Sequence, residues 1–68
     1  MTSQADVMAV LTSDWQTTAE IARQLPNTCL DFDTHRGAVF NILQIMYRRG
    51  DICKTRAPGT NSFWRLPE

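Results

Sequence analysis

Thr34, His35, Arg36, Asn41, Gln44, Arg48, Arg49, Lys54 and Arg56 concentrate hydrogen-bond donors, two side-chain amides and positive charge in a short stretch of the chain. An arginine fork matches the two acceptors on a guanine edge, and an asparagine or glutamine amide matches the donor and acceptor of adenine. Arg36 can therefore address guanine, and Asn41 or Gln44 adenine, while Thr34 and His35 suit a base edge or a phosphate. Arg48, Arg49 and Lys54 suit backbone phosphates, which supply affinity and salt dependence rather than sequence choice. Arg56 is placed to reach an adjacent minor groove. Plainer readings compete: surface polarity for Asn41 and Gln44, and attraction to the negative end of a helix for Arg48 and Arg49.

Other chemistries find little material. His35 is the single histidine, so neither a multi-histidine metal site nor a second histidine-based catalytic pair can be assembled. Cys29 and Cys53 lack metal-ligand spacing and a nearby activating motif, and one bridge would not make a secreted disulfide scaffold. Ser3, Ser13 and Ser62 stand in cap or turn contexts, and nothing resembles a phosphate-cradling glycine loop. No catalytic residue, metal or cofactor is expected, and the chain is not read as an enzyme. No signal-peptide pattern or membrane-length apolar run is present. The expectation is a cytoplasmic protein with reduced thiols and no membrane partner.

Seven basic and seven acidic residues cancel, so the net charge gives no sign of a polyanion binder. Their distribution differs from their sum. Residues 1–34 hold one base against five acids, a net of −4, and residues 35–68 hold six bases against two acids, a net of +4. Such a split can steer one face toward a polyanion, although charge runs are more often ordinary solvated surface.

The elements that must position these residues follow from local signals. At 68 residues the chain is one domain, residues 1–68, with a modest core. Ser3 and Asp6 mark a helix start, and a first helix is expected from about Gln4 to Leu11, with Val7, Met8, Val10 and Leu11 on its core face. Thr17 and Glu20 fit a capping box opening a short second helix that Leu25-Pro26 ends. Trp15, just upstream, is expected in the core near a short strand. Asp31 or Asp33 can cap a third helix running roughly from Thr34 to Arg49. Val39, Ile42, Leu43 and Met46 face inward, with His35, Arg36, Asn41, Gln44 and Arg48 on the other side. Gly37 lets a partner approach the backbone, and Gly50 stops the helix. Ile52 to Arg56 and Ser62 to Leu66 read as strands joined by Ala57 to Asn61, with Pro58-Gly59 as the turn.

Thr17-Thr18-Ala19-Glu20-Ile21-Ala22, Gly50-Asp51-Ile52 after the third helix, and Phe63-Trp64-Arg65-Leu66 in the last strand resemble the winged helix-turn-helix family. The resemblance covers about Val7 to Leu66. It implies an α+β fold of three helices followed by a β-hairpin wing, with a short strand near Trp15. The layout is also similar to PapI-like regulators of bacterial fimbrial operons. Thr17 to Leu25 and Trp64-Arg65-Leu66 resemble Z-DNA-binding winged helices as well. Those carry an Asn and a Tyr one turn apart on the third helix and a Pro-Pro-x-Trp wing. Here the matching positions hold Phe40 and Gln44, and the wing reads Thr60-Asn61-Ser62-Phe63-Trp64, which argues against Z-DNA recognition.

What the winged-helix resemblance implies is a small bacterial or phage-type transcriptional regulator that binds double-stranded DNA, with the third helix in the major groove and the wing on the backbone or minor groove. A homodimer would read half-sites about ten base pairs apart. The rival is a winged-helix adaptor binding protein through Leu30, Phe32, Phe40 and Phe63. It is favoured by net neutrality and by a connection between the second and third helices longer than a tight helix-turn-helix. The two readings diverge on whether Phe40 and Phe63 are buried or exposed.

Overall fold

The computed structural model describes residues 3–26, 31–56 and 62–67. It is a small α+β fold with three helices and a three-stranded antiparallel sheet: α1 (Gln4–Val10), β1 (Gln16–Thr17), α2 (Thr18–Arg23), α3 (Phe32–Arg48), β2 (Cys53–Arg56) and β3 (Ser62–Arg65). The strand order is β1-β3-β2, so the last strand lies in the middle. The turn expected at Pro58-Gly59, together with Cys29 and Leu30, falls outside the described residues.

Each helix start has a side-chain acceptor for its free amides. At α1 the Asp6 amide donates to Ser3 Oγ at 3.3 Å and the Ser3 amide to Asp6 Oδ2 at 3.0 Å, a reciprocal cap. At α2 the Glu20 amide donates to Thr17 Oγ1 at 3.2 Å and the Thr17 amide to Glu20 Oε1 at 3.4 Å. Thr17 thus closes β1 and opens α2 at once. At α3 the cap is Asp31, whose Oδ1 accepts from the Thr34 amide at 2.7 Å. The choice of Asp31 starts the helix at Phe32 and absorbs part of the long connection into α3.

The far end of α3 closes on Gly50, whose φ of 84° is the left-handed conformation that glycine adopts without a Cβ clash. The Gly50 amide donates to the Tyr47 carbonyl at 3.0 Å and the Asp51 amide to the Met46 carbonyl at 2.9 Å, the paired bonds of a Schellman stop. The chain then turns into β2, which begins one residue later than expected, at Cys53, while Ile52 is buried in the core.

Register fixes which face each hairpin residue shows. Lys54 stands opposite Trp64, Thr55 opposite Phe63 and Arg56 opposite Ser62. On the other edge Gln16 pairs with Trp64 and Thr17 with Phe63. Because successive strand residues alternate faces, Trp64 is fully buried and Arg65 turns the other way. The Trp64 indole donates to Thr18 Oγ1 at 2.9 Å, tying the sheet to α2.

Val7, Leu11, Ile21, Ala22, Leu25, Val39, Leu43, Met46, Ile52 and Trp64 form one core. Two expected core residues lie outside it. Met8 is 41% exposed, because α1 is only seven residues long and its neighbour Val7 takes the inward position. Trp15 is 42% exposed: it precedes β1 on the face of Arg65, whose guanidinium lies 4.7 Å from the indole centroid. Among the described residues no helix is long and apolar enough to cross a membrane.

Candidate nucleic-acid interface

Thr34, Asn41 and Arg48 recur every seven residues and are all exposed, which puts them in one line along the outer side of α3. At 1.5 Å per residue the line is about 21 Å long. Ala38 and Ile45 lie beside it, also exposed, with Ile45 48% accessible. The stripe therefore alternates hydrogen-bonding groups with small or branched apolar ones. Sequence reasoning passed over Ala38 and Ile45. The available signal was that Ile45 falls off the core period set by Val39, Leu43 and Met46.

On the flank of α3 that faces the hairpin, Arg36 opens onto a cleft of about 410 Å³ bordered by Thr17, Thr18, Gly37, Phe40 and Ser62. One guanidinium nitrogen lies 3.3 Å from Asp33 Oδ1, but both side chains are well exposed, so solvent screens the pair. Arg36 is thus positioned rather than neutralised. Gly37 is exposed, and a Cβ there would meet nothing within 4 Å, so its own surroundings do not demand glycine.

One turn further along, Lys54 of β2 reaches back over α3. Its Nζ donates to Gln44 Oε1 at 3.1 Å and lies 5.2 Å from the Trp64 ring centroid, 5.5 Å from Tyr47 and 6.0 Å from Phe40. Negative ring faces hold the ammonium and partly replace its lost hydration. Phe40 and Tyr47 in turn meet Trp64 edge-on at 5.8 and 6.5 Å. Lys54 and Gln44 are therefore half-buried and joined, rather than two independent surface groups.

Comparison with protein families, curated proteins and solved structures gives no match. Any functional reading rests on the side chains themselves.

Two expected contact residues are elsewhere. His35 is 1% exposed, with Nε2 donating to the Ala22 carbonyl at 2.8 Å, since a carbonyl can only accept. It sits on the inner stripe with Val39 and Met46, because it lies four residues before Val39, on the side packed against α2. Arg49 turns toward α1, donating to Gln4 Oε1 at 3.1 Å and lying 3.8 Å from Asp51 Oδ2. One residue past Arg48 is about 100° around the axis, which takes Arg49 off the outer line. Arg56, by contrast, is exposed at the end of β2.

The aromatic residues divide as well. Phe40 and Phe32 are half-buried against the core, and Arg23 lies 6.0 Å above Phe32. Phe63 is half-buried in β3. At the head of α3, hydrogen bonds from the Thr34 amide and hydroxyl hold the Asp31 carboxyl below the usual carboxylate range. That negative charge caps the helix and engages both the amide and the hydroxyl of Thr34.

Proposed function

We propose that this chain is a winged helix-turn-helix domain that binds double-stranded DNA, as a small transcriptional regulator does. In this reading α3 enters the major groove and the hairpin lies along the backbone or an adjacent minor groove. The observation that carries it is the outward line of Thr34, Asn41 and Arg48 on a 17-residue helix, with Gln44 and Lys54 on its flank and Arg36 on the side toward the hairpin. The order of elements, with a short strand between α1 and α2 pairing beside the final hairpin, supports the same reading.

The roles follow from the geometry. Asn41 is exposed to meet a base edge, and Ala38 and Ile45 are suited to thymine methyl groups. Arg36, Arg48 and Arg56 supply charge for phosphates or, at Arg56, for a narrow minor groove. His35 takes no part, since it is buried, and Arg49, exposed at the end of α3, leans toward Gln4 and Asp51. Net neutrality is no obstacle, because the exposed cations Arg36, Arg48 and Arg56 lie in the half of the chain whose net charge is +4.

The adaptor reading has less to work with. Phe40 is engaged with Trp64, and neither Phe32 nor Phe63 stands clear of the fold. Fluorescence anisotropy of the full chain with a mixed-sequence duplex pool at several salt concentrations tests the proposal. Three phosphate contacts give a log–log slope of about −3. No binding at low salt would overturn the reading and turn attention to protein partners.

A further inference from the structure

An isolated glutamine reads adenine, because its oxygen accepts from the N6 amino group while its nitrogen donates to N7. Gln44 is not isolated. Its Oε1 already accepts from Lys54 Nζ at 3.1 Å. The orientation of the amide is fixed by chemistry: an ammonium has donors only, so the oxygen must face it and the NH₂ group must face away. The ammonium in turn is held by Trp64, Tyr47 and Phe40, with Trp64 fully buried. The pair therefore does not rearrange without breaking several contacts at once.

We infer that Gln44 and Lys54 act as one unit in which donors outnumber the one remaining acceptor lone pair, and that it reads the acceptor edge of guanine, O6 and N7, in preference to adenine. This rests on the DNA-binding reading above and deepens it. The adenine N6 amino group would have to share the oxygen with an ammonium already on its other lone pair, which sets positive charge beside a donor. Guanine meets a donor from the amide and a second from the remaining Nζ protons. The sequence alone assigns Gln44 the opposite preference, because it does not show that a residue ten positions on closes over its oxygen.

Selection of binding sites from a randomised duplex pool, followed by competition titrations, tests this on the full chain. The wild type is expected to select guanine at one position that Gln44→Ala makes indifferent. Lys54→Met keeps the apolar stem among the rings but removes the ammonium, freeing the Gln44 oxygen. At that same position Lys54→Met should shift the preference from guanine toward adenine by about tenfold. Far-UV circular dichroism confirms that both variants fold. Adenine selected by the wild type at the Gln44-dependent position, or a guanine preference unchanged in Lys54→Met, overturns the inference. So does duplex binding with no selected sequence, which leaves the DNA reading standing. No binding at low salt overturns both.

Discussion

Asn41 and Arg48 lie on the same line of α3 yet are expected to fail differently when removed. Asn41→Ala should relax discrimination at one base pair, by about 1–3 kcal/mol in competition titrations, with little change in salt dependence. Arg48→Ala should weaken all duplexes alike and reduce the salt slope by about one. His35 belongs to the interior. Its ring caps the Ala22 carbonyl where α2 ends, so His35→Ala leaves a void and removes a buried bond. The expected cost is about 2 kcal/mol or more in urea unfolding, with duplex affinity unchanged under conditions where the variant is folded. A specific loss of DNA affinity in a stable His35→Ala variant would contradict this assignment.

Helix starts fix where α2 and α3 begin and satisfy their free amides. Thr17 ends β1 and caps α2, so Thr17→Ala affects both elements. Loss of the reciprocal cap should cost about 1 kcal/mol in thermal or urea unfolding. Asp31 fixes the start of α3, and its pH dependence has a definite sign. Its carboxyl is held below the ordinary value by the Thr34 amide and hydroxyl, so the folded state favours the ionised form. That contribution is fully present above the unfolded pKa and is lost as pH falls through the lower folded value. The stability gap between wild type and Asp31→Ala should therefore be larger at about pH 7 than at about pH 3. Urea titrations at both pH values check it, and a gap independent of pH would assign the cap to hydrogen-bond geometry without charge.

At the scale of the whole molecule, 68 residues enclose one core shared by all three helices, Ile52 and Trp64. A domain this small has a narrow margin of stability, so a partner bound only by the folded state should register strongly. Duplex DNA at a hundredfold excess over its Kd is expected to add about 2.7 kcal/mol. For a chain of this size that raises Tm by about 10 °C or more, measurable by thermal shift. The uneven charge adds a second expectation. With −4 in the first half and +4 in the second, approach to a polyanion is oriented, and association should slow as salt rises.

The sequence by itself determined what depends on near neighbours along the chain. Ser3 with Asp6, and Thr17 with Glu20, are partners three residues apart, and Val39, Leu43 and Met46 repeat at the helical period. Gly50 as the stop of α3 and two strands after it are local facts of the same kind. For Asn41 and Arg48, the helical period that turned the core stripe inward also turned them out. Tertiary structure decided whatever depends on a partner far away. His35, four residues before Val39 on the inner stripe, met the Ala22 carbonyl 13 positions away, and β-sheet register left Trp15 beside Arg65 instead of in the core. Arg49 met Gln4 45 positions away, and Lys54 closed over the Gln44 oxygen through contacts with three rings. The reason is physical: caps and periodicities are satisfied within one or two turns of chain, whereas a long polar side chain takes the donor or acceptor that packing brings within reach.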